Sequence, residues 1–236
     1  GVLIVRLVKR LVPPLVVVLL ALAIAIWSMG KPWFWAGQIS GYEKADRVNS
    51  PKQGVIVFTG SSSIRFWRTL ADDMQPLDVI NRGFGGSTIA QVNYYSSRIV
   101  LPYRPRAVVL YVGDNDLSWP WSKSPETVFG DFKRFVEIIH SALPDTWIYY
   151  VSIKPTKLRA ASWPKMQETN GMIADFCRTQ DRVQFIDVSA AMLDSSGKPR
   201  PELFRWDGLH MNAQGYAIWT SIIKPVLLSR FGPLPK

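Results

Sequence analysis

The residues able to do chemistry are few, and their scarcity narrows the choice. The chain holds two histidines, His140 and His210, and a single cysteine, Cys177. One cysteine permits neither an internal disulfide nor a cysteine-based metal cluster, and two histidines make no His-rich site, so no metal is expected. His210 is the candidate base. Asp207 lies three residues earlier, where it can turn back to hold the second ring nitrogen, orienting the imidazole and stabilising its cation. Such a base activates a hydroxyl, whose own pKa is far too high for attack on an ester. Hydroxyls cluster at Ser61, Ser62 and Ser63. The tetrahedral intermediate of that attack carries an oxyanion, which needs preorganised N–H donors. Three candidates are the backbone N–H of Ser62, the backbone N–H of Gly86, which no side chain obstructs, and the side-chain amide of Asn115.

These residues need elements to position them. Short β-branched runs predict strands at Val55–Thr59, Asp78–Ile80, Ala107–Val112, Trp147–Ile153 and Val183–Val188. Between them lie helical patterns. Val128, Phe132, Phe135 and Ile139 share one helix face, opened by Ser124 as cap and Pro125 in the first turn. Further helices are expected from about Pro164 to Arg178 and from about Asn212 to Ser229, the last bent at Pro225. Alternating strands and helices predict an α/β fold, a parallel sheet covered on both faces. Ligands bind such sheets at the carboxyl ends of the strands. Gly60–Ile64, Asn81–Thr88 and Gly113–Asp116 each follow a predicted strand, and Asp207–His210 lies near the carboxyl end of the chain.

Four blocks in this order resemble those of the SGNH, or GDSL-like, hydrolases. Gly60-Ser61-Ser62 is similar to their Gly-Asp-Ser, and Gly83-Phe84-Gly85-Gly86-Ser87 to their Gly-x-Gly-Gly-Asp. Gly113-Asp114-Asn115-Asp116 matches Gly-x-Asn-Asp, and Asp207-Gly208-Leu209-His210 matches Asp-x-x-His. The resemblance spans about residues 54–228. It implies a three-layer α/β/α sandwich with a flavodoxin-like, five-stranded parallel sheet, and a serine esterase without metal or cofactor. It further implies Ser62 as nucleophile, Asp207 and His210 as its partners, and Ser62, Gly86 and Asn115 as the oxyanion hole. Two positions depart from the pattern: Ser61 and Ser87 stand where the family usually has Asp. They leave Ser61 and Ser63 as rival hydroxyls, which the family register resolves in favour of Ser62.

Other residues have plainer readings. His140 is expected to meet a helix dipole and Cys177 to be a buried structural thiol. Asp114 and Asp116 are read as hydrogen-bonding loop residues ahead of cation ligands. Lys154, at the end of the fourth strand, either meets an anionic substrate or is solvent-exposed. Trp119, Trp121 and Trp206 flank the candidate blocks and are candidates to stack on a sugar ring or hold an acyl chain.

The amino-terminal segment is of a different kind. Residues 1–40 hold Arg6, Lys9, Arg10 and Lys31 and no acidic residue, four of the net ten positive charges. Residues 11–29 are uncharged; as a helix at ~1.5 Å per residue they reach about 28 Å, near the ~30 Å bilayer core. With Trp33, Phe34 and Trp35 beyond the run, a single transmembrane helix is expected, amino terminus inside. The catalytic domain would then lie outside the cytoplasmic membrane. Pro13 and Pro14 shorten the uninterrupted helix to about 15–29, which suits the alternative of a cleaved signal peptide and a secreted or periplasmic protein. Gly1 is not an initiator, so residues upstream are expected. Residues 36–53 read as a polar linker before a hydrolase domain at 54–232. The expected partners are the membrane and an ester of a carbohydrate or small lipid, with a short acyl group. Acyl transfer by the same residues and a catalytically silent binding module are the alternatives. Despite the positive charge, nucleic acid is excluded, because no basic repeat, aromatic–glycine strand motif or zinc pattern accompanies it.

Overall fold

The computed structural model describes residues 2–232, with side chains from Pro14 onward. The chain divides into two compact units, residues 1–37 and 38–236. The first holds helix α1 (Val2–Met29) and a short 3-10 turn at Pro32–Trp35. Helix α1 runs through Pro13 and Pro14, where an interruption is predicted. Each proline removes one N–H donor without ending the element. Among the described residues no single helix is long and apolar enough to cross a membrane. Within this unit Trp27 and Trp33 pack at 6.4 Å between ring centroids, and Lys31 sits over Trp27.

Residues read as a linker are largely helical: α2 spans Ala36–Val48. From Gln38 onward it belongs to the larger unit. Gln38 Nε2 and the Tyr42 hydroxyl both donate to the Gly83 carbonyl, and Glu43 and Asp46 pair with Arg98 and Arg82. Gly37, Ser40 and Gly41 weaken helix propensity, but these long-range partners override it.

The larger unit is built on five parallel strands in the order β2-β1-β3-β4-β5. They are β1 (Ile56–Gly60), β2 (Val79–Gly83), β3 (Ala107–Tyr111), β4 (Trp147–Val151) and β5 (Val183–Ile186). Strand β1 pairs with both β2 and β3, Phe58 standing opposite Asn81 on one side and Val109 on the other. This is the flavodoxin-like order, and its switch point lies at β1 and β3. Strand β2 is longer than predicted, since Asn81 and Arg82 are inside it. Their side chains are satisfied from outside the sheet, Asn81 by the Ile64 carbonyl and Arg82 by Asp46 and Tyr103.

The remaining helices are α3 (Ser62–Arg65), α4 (Leu70–Asp73), α5 (Ile89–Ile99), α6 (Asp114–Leu117), α7 (Pro125–Ala142), α8 (Trp163–Thr179) and α9 (Ala213–Phe231). They form the two outer layers. On one face Phe58, Val109 and Tyr149 are buried with Trp67 and with Trp219 and Ile223 of α9. On the other, Tyr150 meets Phe132 of α7 at 4.9 Å between ring centroids. Val128, Phe132, Phe135 and Ile139 are all fully buried, as their spacing predicts. Ser124 caps α7 through the Thr127 N–H, and Pro225 lies inside α9. Phe132 also touches Phe176 of the neighbouring helix α8. Replacing Phe132 with Ala should therefore cost about 3–5 kcal/mol, read from denaturant unfolding, because the void cannot refill.

Candidate active site

The end of β1 sets the site. Gly60 adopts φ +128°, and a Cβ there would lie 1.8 Å from the Tyr111 carbonyl oxygen, so only glycine lets β1 and β3 stay this close. The chain then turns at Ser61 and enters α3 with Ser62 first. Ser61 sits at the cap position but makes no side-chain cap bond; its hydroxyl points to Asp114 Oδ1 at 3.5 Å. The Ser62 N–H is left at the open amino end of a helical turn, where such donors lack intrahelical partners.

The three serine hydroxyls separate by environment. Ser61 and Ser63 are buried. Ser63 Oγ is occupied by Lys154 Nζ at 2.9 Å. Ser62 is half-buried and faces His210, with Oγ 3.0 Å from Nε2. His210 Nδ1 lies 2.7 Å from Asp207 Oδ2. With the proton on Nδ1, the imidazole donates to Asp207 and accepts from Ser62. The other carboxylate oxygen, Oδ1, accepts the N–H groups of Leu209 and His210, both at 2.9 Å. Phe66 stands edge-on to the imidazole, with ring centroids 5.0 Å apart. Partial burial raises the Asp207 pKa, but the imidazole and the two N–H donors outweigh it and hold it at about 2.

The glycine loop returns to the same point. The Phe84 N–H donates to the Gly60 carbonyl at 2.9 Å, and Ser87 Oγ donates to the same oxygen at 3.0 Å. Gly86, at φ +67°, turns the backbone between them. Asn115, in α6 just after β3, donates from Nδ2 to the Ser87 carbonyl at 2.9 Å. These bonds tie the glycine loop to β1 and α6 to the glycine loop, so the blocks that carry Ser62, Gly86 and Asn115 adjoin at the switch point. The two departures from the family pattern have structural uses here, Ser87 as a strap to β1 and Ser61 as a neighbour of Asp114.

Lys154 is neither solvent-exposed nor placed to receive a substrate. It is 1% exposed, lying beneath α3 with bonds to Ser63 Oγ and the Tyr111 hydroxyl. Burial pushes its pKa down, opposed by Asp114, to about 8. Trp206, 99% exposed, adjoins Asp207, and Trp119 is exposed beyond α6; Trp121 is half-buried. Asp116 accepts from the Ile89 N–H at the start of α5 and pairs with Lys123 at 2.9 Å. His140 meets the Thr146 carbonyl, and burial drives the Cys177 thiol up to about 12. Arg159 is the residue that sequence reasoning missed: Nη2 donates to Asn115 Oδ1 at 2.7 Å. The available signal was its position in the segment following β4, at the carboxyl edge of the sheet.

A hydroxyl, imidazole and carboxylate in line at the switch point of a flavodoxin-like sheet is the layout of a hydrolase. The chain belongs to the GDSL-like lipase/acylhydrolase family, whose sequence profile matches residues 46–218. Solved structures share the fold. A GDSL-like lipase of Bacteroides thetaiotaomicron is 21% identical with a TM-score of 0.71, covering 81% of this chain and 97% of its own. A family 3 carbohydrate esterase of Talaromyces cellulolyticus is 20% identical with a TM-score of 0.61, covering 74% and 97%. An acetyl-xylooligosaccharide esterase of Geobacillus is 15% identical with a TM-score of 0.61, covering 78% and 96%. No curated protein sequence matches the chain.

The depressed Asp207 pKa has a pH signature. Its carboxylate adds stability that is complete above the ordinary value of 3.8 and is lost as pH falls through about 2. The Asp207→Asn variant should be less stable than the parent at pH 5, and the gap should close toward pH 2. A gap that stays constant in urea titrations across that range would contradict this.

Proposed function

We propose that the protein is a serine carboxylic-ester hydrolase acting through an acyl-enzyme on Ser62. The observation that carries the reading is the line from Ser62 Oγ to His210 Nε2 at 3.0 Å and from Nδ1 to Asp207 at 2.7 Å. Ser62 Oγ attacks the ester carbonyl carbon while its proton passes to Nε2. The carbonyl electron pair moves onto oxygen, and the N–H groups of Ser62 and Gly86 and the free N–H of Asn115 Nδ2 receive the charge. Collapse breaks the bond to the alcohol, which leaves with the proton from Nε2. Water then repeats the sequence against the acyl-serine, with His210 as its base, and releases the acid. Asp207 stays ionised throughout and stabilises the imidazolium.

The substrate reading is a short acyl ester of a carbohydrate or small lipid. It is supported by two similar structures named as a carbohydrate esterase and an acetyl-xylooligosaccharide esterase. The exposed indoles of Trp119 and Trp206 at the strand-end loops suit a sugar ring or an acyl chain.

The reading includes an uncleaved amino-terminal membrane anchor, with the catalytic unit on the extracytoplasmic side. Leu15, Val17, Val18, Leu20, Leu22 and Ile24 of α1 are all more than half exposed, an apolar surface that lipid would cover. Arg6, Lys9 and Arg10 precede it, and Trp27 and Trp33 follow at its other end, as interfacial tryptophans do.

Two experiments test these readings. Ser62→Ala should abolish p-nitrophenyl acetate turnover and fluorophosphonate labelling, and Asn115→Ala should lower kcat by roughly 100–1,000-fold. Full activity of Ser62→Ala would sink the assignment. The expressed chain should stay in the membrane pellet through alkaline carbonate extraction, and its release would remove the anchor.

A further inference from the structure

The proposed oxyanion donor Asn115 has a weakness common to its type. An asparagine amide can turn by half a rotation, exchanging its carbonyl oxygen and NH2 with almost no change of shape. Only the groups around it decide which end faces the site. Here Nδ2 donates to the Ser87 carbonyl at 2.9 Å, and Oδ1 accepts from Arg159 Nη2 at 2.7 Å. Turning the amide would set NH2 against the guanidinium and oxygen against a carbonyl. Both contacts would change from attractive to repulsive. The Ser87 carbonyl belongs to the backbone, so the adjustable half of this clamp is Arg159.

Arg159 is itself held. Its Nη1 lies 3.0 Å from Asp114 Oδ2, and its backbone N–H donates to Thr156 Oγ1. Asp114 is buried and receives the Asn115 N–H on Oδ1, with the Ser61 hydroxyl beside the same oxygen. Lys154 Nζ stands 3.7 Å from Asp114 Oδ2 and also bonds Ser63 Oγ, the residue after Ser62. Burial pushes the Asp114 pKa up, but Arg159 and Lys154 outweigh it and hold the carboxyl below its ordinary range.

We propose that Arg159, anchored by the buried Asp114–Lys154 pair, is a positioning residue that locks Asn115 in its donor orientation. The inference rests on the reading of Asn115 as an oxyanion donor. It assigns Arg159 no contact with substrate, so its effect must pass through Asn115.

The test is a double-variant cycle in the full chain with p-nitrophenyl acetate. Arg159→Ala should lower kcat by about 10–100-fold, less than loss of the donor itself, with KM changed less than about two-fold. Arg159→Lys should retain the parent unfolding midpoint within a few degrees, because its single ammonium can still pair with Asp114. It should nevertheless lose kcat, since one point charge cannot serve Asp114 and Asn115 in the planar fork that Arg supplies. The Arg159→Ala/Asn115→Ala variant should be no slower than Asn115→Ala alone. Losses that multiply in the double variant, or full kcat in Arg159→Lys, would overturn the inference. So would an Asn115→Ala enzyme of parental kcat beside a slow Arg159→Ala. Fluorophosphonate labelling of Ser62 reads the nucleophile separately, so failure of the serine assignment is told apart from failure of the clamp.

Discussion

One contact, 3.0 Å between Ser62 Oγ and His210 Nε2, joins positions 148 residues apart. A hydroxyl without a base at hydrogen-bond distance does not attack an ester, so the rest of the architecture can be understood as what closes that gap. The parallel sheet places β1 between β2 and β3, and Ser62 follows just past the carboxyl end of β1. Helix α9 packs across one face through Tyr216, Trp219 and Ile223, and the Asp207–His210 loop precedes it directly. The Tyr216 hydroxyl donates to the Ser63 carbonyl at 2.9 Å, so α9 is pinned to the turn that carries Ser62. Core packing and site geometry are the same constraint in this region: Trp67 stacks on Tyr216 and meets Trp219, behind α3.

A second constraint is dielectric. The carboxylates of Asp114 and Asp116 are buried, as is Lys154. An unpaired charge there would cost several kcal/mol. Each is met: Asp114 by Arg159 and Lys154, Asp116 by Lys123 and the Ile89 N–H. Such networks hold one arrangement firmly because a half-satisfied version is expensive. Beneath Ser62 and Asn115, that firmness becomes preorganisation. The substitution of Ser for the family's usual Asp at position 61 fits this arrangement. A carboxylate at 61 would stand against Asp114 Oδ1, which the Ser61 hydroxyl now approaches at 3.5 Å.

The parts of this structure legible in the sequence are those set by local pattern. Strands β1 and β3 are near-continuous apolar runs buried on both faces, and they fall within a residue of their predicted bounds. Helix α7 announces its buried face by spacing and its start by Ser124 and Pro125. The serine, glycine, asparagine and histidine blocks could be placed because each follows or precedes such an element. What the sequence hid depends on partners far along the chain. Residues 36–48 lack a strong helical pattern and are held by Gly83, Arg82 and Arg98. Lys154 looks like a surface lysine until Ser63, 91 residues away, accepts its hydrogen bond. Arg159 bears no motif, and its partner Asn115 is 44 residues earlier.

The same reasoning explains why α2 matters to the site although it bears none of its chemistry. Gly83 is the last residue of β2 and the first of the loop that presents Gly86. A side chain at Gly83 would place its Cβ 2.5 Å from the Arg65 backbone nitrogen, so β2 must approach α3 without one. The Gly83 carbonyl then points away from the sheet's own ladder and is taken by Gln38 and Tyr42. Tyr42 is largely buried, and desolvation raises its pKa, which keeps the phenol a donor through the neutral range. The hydroxyl therefore fixes the root of the glycine loop from one side, while Ser87 fixes its far end to the Gly60 carbonyl from the other. The loop is thus held at both ends by hydrogen bonds and between them by Phe84, which is buried against Tyr95, so that these contacts bracket Gly86.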